Sequence, residues 1–478
     1  MLKQAKSIFI IGIKGAAMAN IAVILKKLGK TVSGTDVDEQ FITDSLLKTN
    51  NITYAVGFDS KLINKNIDLV VYSAAHGGEN NPLVITAKNI GIQSLHQAEL
   101  LGQLLRLFKT SIAVCGCHGK TTTSSLLAYA LLKLGVKPSY MIGSSDFNHY
   151  PGGDYASKDY FVIEADEYAI NPPHNITPKF NFLNPDYILC TNIDFDHPDV
   201  YQDLETTKEA FLKFFGNKKL TLCADDNNLS HLVNKLKQDQ YLTYGFSPKA
   251  DLQIVNPEYN NDTSSFELIW RQKSLGKYKI SLFGEKNISN AAGVILTLLQ
   301  LGFDPEKIKK AIQDFTGAKR RFEKIYEKND VYIFDDYAHH PNEIEATIKA
   351  ARNRFPGKKI IIIFQPHTYS RTQSLLPEFA KQLSLADQAY ILPIFPSARE
   401  DSSKFTVSSK DIAKINPQKL KSIENKNDLL LSLKSFLLNP DILSQSIIFT
   451  MGAGDVYKLS DDIIKVIANV KSQSSNLN

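Results

Sequence analysis

Apolar residues fall along this chain in short blocks, separated by longer stretches with helical spacing. SIFIIGI (7–13), TVSGTD (31–36), LVVYSAA (69–75) and IGIQSL (90–95) have the length and β-branched content of strands, and three of them are spaced by helical segments. The alternation ends near ELLGQLLRLF (99–108) and starts again at TSIAVCG (110–116). It runs on through DYFVIEADE (159–167), PDYILCTNID (185–194) and KKLTLCADD (218–226). A third series holds VYIFDDYAHHP (331–341), KKIIIIFQPHTYSRT (358–372), AYILPIFPSARE (389–400) and SIIFTMGAGDVYKLSDDII (446–464). Strand alternating with helix builds parallel sheets, so the pattern predicts an α/β protein.

Length supports the same division. A chain of 478 residues exceeds one ordinary core, and the breaks predict three domains at 1–108, 109–322 and 323–478. The first and last are expected to be doubly wound and Rossmann-like, the middle one P-loop ATPase-like. The net charge of +5 is small and scattered, which gives no footprint for nucleic acid or an anionic membrane. No apolar run approaches the roughly 18 residues that cross a bilayer. MLKQAKSIFIIG has two lysines before an apolar run but no small-residue cleavage site, so it reads as a first strand of a cytoplasmic protein. Composition leaves oligomeric state open. Cys115 and Cys117 form C-x-C without a second pair at zinc spacing, and with Cys190 and Cys223 they read as small buried hydrophobes.

The chemistry begins at VCGCHGKTTTSS (114–125). Its lysine is Lys120, but the first glycine of G-x-x-x-x-G-K-[ST] is missing and Gly116 stands closer in. SIAV reads as a strand and TTTSSLLAYALLKLG as a helix closed by Gly135. Gly116, Cys117, His118, Gly119, Lys120, Thr121 and Thr122 therefore lie on a strand–loop–helix junction, the context a phosphate loop requires. The helix N-terminus offers N–H groups, Lys120 a charge for the β- and γ-phosphates, and Thr121 a hydroxyl for Mg²⁺. A turn whose glycines only permit its shape is the alternative; the flanking strand and helix favour the phosphate site.

Two acidic clusters follow at strand ends. One holds Glu164, Asp166 and Glu167; the other holds Asp194, Asp196, His197 and Asp199. Ligands of open α/β sheets bind at the carboxyl ends of strands, so both clusters can converge on the loop and hold Mg²⁺.

The order GCHGKTTT, EADEY, TNIDFDHPD, GEKNISNAA, RRF, DDYAHHPNE and FQPHTYSRT resembles the Mur ligases over nearly the whole chain. That family uses the short loop G-x-x-G-K-[TS], with threonine or alanine usual where this chain has Cys117. Within the family the chain looks like the alanine-adding members of peptidoglycan synthesis. The resemblance implies that ATP and Mg²⁺ drive amide formation between L-alanine and the lactyl carboxylate of UDP-N-acetylmuramate, through an acyl phosphate. It gives Lys120 and Thr121 to the γ-phosphate and first Mg²⁺, Glu164 to a metal, and His197 to a second Mg²⁺. Asn287 and Asn290 match asparagines beside the nucleotide, while Lys286 stands where many relatives have histidine. Arg321, of the pair Arg320–Arg321, is expected at the phosphates and Asp336 at the ribose. The place of a carbamylated lysine in some relatives falls on Phe211.

In the last domain Arg371 offers a planar fork for the amino acid's carboxylate, with His339 and Tyr337 beside it by resemblance. His339 and His197 are both candidates for the base that deprotonates the amine. In the first domain the family's G-x-x-G-x-x-M turn, which cradles the UDP-sugar pyrophosphate, matches Gly12, Gly15 and Met18. Asp36 and Ser73 are expected at the uridine half. Arginine is frequent in relatives at the place of His96 or Gln97.

Three rival readings remain. A recycling ligase would attach an intact tripeptide, and EADEY is similar to it, whereas FQPHTYSRT and SARE fit alanine addition. An NAD-dependent oxidoreductase would use the first domain, but from Gly12 the turn reads G-x-K-x-x-A, a weak dinucleotide signal that leaves the Gly-Lys-Thr loop idle. A non-catalytic nucleotide-binding regulator would lack metal ligands, and Thr121, Glu164 and His197 are present.

Overall fold

The computed structural model describes residues 1–172, 174–260, 263–328, 330–396, 400, 402–439, 442 and 445–475. Ser397, Ala398 and Arg399 of SARE lie outside the described residues. The chain divides into two compact units, one of 1–258, 263–282 and 286–319, the other of 259–262, 283–285 and 320–478.

The first unit holds two large sheets. One has five strands in the order Thr53–Val56, Thr31–Asp36, Ser7–Ile11, Leu69–Tyr72, Gln93–His96, every pairing parallel. The chain starts in the middle and winds outward in both directions. The switch point falls between Ser7–Ile11 and Leu69–Tyr72, so Gly12 and Ser73 leave adjacent strands where a parallel sheet takes its ligands.

The glycine turn leads into the helix Ala16–Lys27. Lys14, the residue that breaks the dinucleotide pattern, is 3% exposed. Its ammonium donates to the carbonyls of Val37 (2.9 Å) and Glu39 (2.5 Å) and lies 5.3 Å from the ring centres of Phe41 and Tyr54. Asp36 accepts from the backbone N–H groups of Lys14 (2.7 Å) and Val37 (2.8 Å). The carboxylate that a dinucleotide fold turns to a ribose is therefore spent on the turn itself, which argues against the oxidoreductase reading.

The second sheet has ten strands. In its middle, Thr110–Cys115 lies between Tyr187–Cys190 and Tyr160–Glu164, parallel to both. These three strand ends release the phosphate loop and both acidic clusters side by side. Antiparallel hairpins extend the sheet at its two ends, Ser139–Phe147 with Tyr150–Asp154 and Thr263–Trp270 with Lys273–Ile280. The helix Ala16–Lys27 packs on the first of these, where Asn20 donates to the carbonyls of Ile142 (3.1 Å) and Ser144 (3.3 Å). Phe211 is buried against Phe180 and Phe215.

The second unit is built on six strands in the order Glu323–Lys328, Val331–Asp336, Ser446–Met451, Lys359–Phe364, Gln388–Ile391, Leu420–Ser422. Only the first pairing is antiparallel. Ile360, Ile362 and Phe364 enter one core and Ile361 and Ile363 the other. Helices cover both faces of the sheet, which is why the strand reads as an unbroken apolar run. Among the described residues no helix is long and apolar enough to cross a membrane. All four cysteines are free and buried.

Candidate functional site

The phosphate loop joins Thr110–Cys115 to the helix Lys120–Lys133, with Gly116 at φ +125° and Gly119 at φ +82°. It is gripped by the segment after the neighbouring strand. The hydroxyl of Thr191 donates to the carbonyl of His118 (2.6 Å), as does the Asn192 amide (2.8 Å). The Asn192 side-chain oxygen Oδ1 accepts the His118 N–H (2.9 Å), and the His118 ring lies 2.9 Å from Asp194. Cys117 takes the place of a hydroxyl: its sulfur accepts the N–H of Asp194 (3.1 Å) and donates to the carbonyl of the same residue (3.2 Å). Burial, with Glu167 nearby, pushes this thiol well above its ordinary pKa, so the loop carries a thiol and not a thiolate.

Lys120 is the centre of the charge arrangement. Its ammonium donates to the carbonyls of Gly116 (2.7 Å) and Cys117 (3.1 Å) and to both oxygens of Glu167 (2.9 Å each). Burial pulls the amine's pKa down; Glu167, Asp166 and Glu164 outweigh it and raise the lysine above its ordinary value. On one side, Glu164 accepts from the Thr121 hydroxyl (3.2 Å) and the Gly143 N–H (2.9 Å). On the other, His197 Nε2 lies 3.4 Å from Glu167 and 3.6 Å from Asp196. Glu167, Asp196 and His197 each present a ligand atom within 4.8 Å of the other two. Asp166 turns instead to Lys179 (2.6 Å); burial opposes its charge, but Lys179 and Lys120 hold it well below the carboxylate range.

Lys120, Thr121, Glu164 and His197 are thus brought together. Glu167 and Asp196, which sequence motifs placed in the clusters without a role, join them. Asn290 lies against the loop, its side-chain oxygen 3.2 Å from where a Cβ on Gly119 would sit, and Asn287 is half-buried on the same helix, Glu285–Gln300. Thr122 is buried in the first turn of Lys120–Lys133.

At the first sheet, Gly12 (φ +74°) opens the turn and Gly15 caps the helix. Met18 is buried beneath them and Asp36 is buried beside them, so both shape the turn. Ser73 is nearly buried, its hydroxyl accepting the N–H of Ala75 (3.3 Å).

In the second unit, the two arginines part company. Arg320 bonds Asp335 (2.8 Å) and the carbonyls of Gly452 (2.7 Å) and Gly454 (3.2 Å), between the rings of Tyr337 and Tyr457. Arg321 sits over Tyr337 with Glu343 4.0 Å away. His339 Nδ1 lies 3.0 Å from the carbonyl of Tyr337, and its ring centre is 6.1 Å from that of His367. Arg371 is buried on the short helix Tyr369–Ser374, whose first N–H groups bond Glu400.

Asp336 accepts from the N–H groups of Ala338 (2.8 Å) and Phe322 (3.0 Å). Burial, aided by Glu343 and Asp335 and opposed by the Ala338 N–H and Arg321, raises its pKa to about 6. A carboxyl raised from 3.8 binds its proton more tightly when folded. The stability it contributes is full below pH 3.8 and is lost as pH rises through about 6. We expect Asp336→Asn to carry a constant offset from its lost acceptor but to gain about 2 kcal/mol on the unmodified protein between pH 4 and 7, measured by urea unfolding. Parallel profiles would refute the assignment.

Three family models match: "Mur ligase family, catalytic domain" over residues 7–109, "Mur ligase middle domain" over 114–298, and "Mur ligase, glutamate ligase domain" over 320–454. The UDP-N-acetylmuramate–L-alanine ligase of Lactiplantibacillus plantarum is 36% identical, covering 96% of this chain and 98% of its own. That of Pediococcus pentosaceus is 37% identical, covering 94% and 96%. Among solved structures, a UDP-N-acetylmuramate–alanine ligase from Thermotoga maritima matches with a TM-score of 0.77 at 24% identity, over 99% of this chain and 100% of the other. A murein peptide ligase from Psychrobacter arcticus matches with a TM-score of 0.72 at 21% identity, over 97% and 99%. At those identities the two structures speak for the fold.

Proposed function

Because this chain belongs to the Mur ligase family, we propose that it is a cytoplasmic enzyme of peptidoglycan synthesis, joining L-alanine to the lactyl carboxylate of UDP-N-acetylmuramate with ATP. The observation that carries this reading is the convergence of Lys120, Thr121, Glu164, Glu167 and His197 from three adjacent strand ends. The relatives at 36% and 37% identity, both alanine ligases by name, favour alanine over a tripeptide.

Two anions, a carboxylate and a γ-phosphate, must approach one another for an acyl phosphate to form. Lys120 supplies positive charge there, and the N–H groups at the start of Lys120–Lys133 cradle phosphate. The buried carboxylates and imidazole around Lys120 are hard donors of the kind Mg²⁺ accepts. Thr121 with Glu164, and His197 with Glu167 and Asp196, would hold it. Mg²⁺ held there would neutralise charge on the transferred phosphoryl group. Gly116 to Thr122, Asn287 and Asn290 are assigned to the nucleotide, and so, in the second unit, are Arg321 and Asp336. Arg371, with Tyr337 and His339, is assigned to the amino acid, whose carboxylate its planar fork fits. The free amine attacks the acyl carbon and phosphate leaves; of the two candidate bases, His339 is the one left for the ammonium proton once His197 holds the metal. Gly12, Gly15, Met18, Asp36 and Ser73 belong to the nucleotide-sugar site.

The test is phosphate release from ATP and Mg²⁺ with UDP-N-acetylmuramate, comparing L-alanine with the tripeptide. We expect release that depends on L-alanine. Release only with the tripeptide would move the protein to the recycling branch, and release with neither acceptor would overturn the ligase reading.

A further inference from the structure

The helix Ala16–Lys27, which starts at the glycine turn of the first sheet, carries one buried polar side chain that reaches the second. Asn20 is 1% exposed, and its amide nitrogen donates to the carbonyls of Ile142 (3.1 Å) and Ser144 (3.3 Å). Only the nitrogen end of an amide can meet two carbonyl oxygens, so the chemistry sets its orientation. The amide oxygen is buried with no partner among the described residues. An unbonded buried oxygen is unfavourable, so packing alone does not account for an asparagine here. The hairpin is shaped to receive it. Met141 stands opposite Gly153 and Asp146 opposite Pro151, so four residues, Ile142 to Ser145, face the single Gly152. Carbonyls in such a bulge are left for partners outside the ladder. A Cβ on Gly153 would stand 2.6 Å from the Asn20 Cβ, and one on Gly152 2.9 Å from its amide nitrogen.

Between the two bonded carbonyls lies Gly143, whose N–H donates to Glu164 Oε2 (2.9 Å). A Cβ on Gly143 would stand 2.6 Å from Glu164 Oε1 and 2.7 Å from Oε2, so the carboxylate rests directly on the backbone. Glu164 Oε1 accepts from the Thr121 hydroxyl (3.2 Å). The parallel pairing with Tyr160–Glu164 stops at Met141, opposite Ile163, and so does not reach the glycine. The ladder therefore leaves the direction of the Gly143 N–H unset. Asn20 sets it, by gripping the peptide chain on either side.

We propose that Asn20 is a positioning residue for Glu164: by fixing the carbonyls of Ile142 and Ser144 it aims the Gly143 N–H, which holds the carboxylate in the orientation that binds Mg²⁺ beside Thr121. A ligand's hydrogen-bonded support tunes the metal as the ligand itself does. The inference rests on the proposed ATP and Mg²⁺ reading and adds to it a residue of the first sheet's helix. The same helix makes a second tie to the same hairpin, from Lys27 to Asp154 (2.5 Å). Asp154 pairs with Tyr140, outside the bulge, so this tie holds the helix without touching the Gly143 peptide.

The experiment follows binding of the β,γ-imido analogue of ATP to the full chain by calorimetry, in EDTA and over a series of Mg²⁺ concentrations, a reading that needs no turnover. Alanine is the best helix former, so Asn20→Ala keeps the helix. We expect Asn20→Ala to bind the analogue in EDTA within about twofold of the unmodified protein, and to need about tenfold more Mg²⁺ for half of the Mg²⁺-dependent gain. Lys27→Ala, which loosens the same helix on the same hairpin, should need no more Mg²⁺ than the unmodified protein. An unchanged Mg²⁺ requirement in Asn20→Ala, or an equal rise in Lys27→Ala, would overturn the inference while the ligase reading stands. An unmodified protein whose binding no Mg²⁺ concentration improves would defeat the Mg²⁺ reading of the site, and the inference with it.

Discussion

Replacing Lys120 with alanine should lower ligation at least about a thousandfold while leaving the Kd for UDP-N-acetylmuramate within about twofold. The two effects separate because the ammonium sits among the carbonyls of Gly116 and Cys117 and the carboxylate of Glu167, on the second sheet. The glycine turn proposed for the nucleotide sugar lies on the first. On the proposed reading Lys120 is the charge that lets a carboxylate near a γ-phosphate, a role that weighs most in the transition state. Arginine should not replace it, since a wide planar fork matches neither the paired carbonyls nor a single phosphate oxygen. Phosphate release and calorimetry on the same preparation read both quantities. Ligation surviving in Lys120→Ala would remove the loop from the mechanism.

Gly116→Ala should act through shape alone. A Cβ there would stand 2.2 Å from the Thr191 hydroxyl and 2.9 Å from the Asn192 carbonyl oxygen. The φ of +125° is itself strained for any side chain. We expect a loss of about 3 kcal/mol in stability, together with ATP affinity reduced at least about tenfold. Adding Thr191→Ala should recover only part of it, because the Asn192 backbone still crowds the new methyl. Thermal unfolding and nucleotide titration of the single and double variants check this. Full recovery in the double variant would mean that the Thr191 hydroxyl is the whole obstacle, and an unchanged single variant would mean that the loop has room to move.

How much of this is legible in the sequence differs from place to place. The junction of Thr110–Cys115 with Lys120–Lys133 is plain because the apolar period switches from strand to helix across a glycine loop. The convergence of EADEY and TNIDFDHPD on that loop follows from strand ends in a parallel sheet. Which acid faces which cation does not follow. Glu164, Asp166 and Glu167 look alike in sequence, and only the registers of three neighbouring strands send one to Thr121, one to Lys179 and one to Lys120. The strand Thr53–Val56 is equally hard to read, being short, at a sheet edge, and without a buried alternation. Lys14 looks like a defect in a nucleotide fingerprint until its ammonium is seen tied into the backbone beyond Asp36. Asn20 carries no motif at all, and its reach to the carbonyls on either side of Gly143 depends on a strand bulge that glycines make possible but do not announce.

The sulfur of Cys117, held between the N–H and the carbonyl of Asp194, also makes the chain its own stopwatch. A buried, protonated thiol does not meet an alkylating reagent while the fold is closed, and the three other cysteines are buried as well. Labelling of the unaltered chain therefore proceeds only as fast as local opening exposes sulfur. Mass spectrometry resolves the four positions, so the Cys117 signal clocks the phosphate loop against the sheet interior. Anything that fastens the loop slows that one hand and leaves the others running.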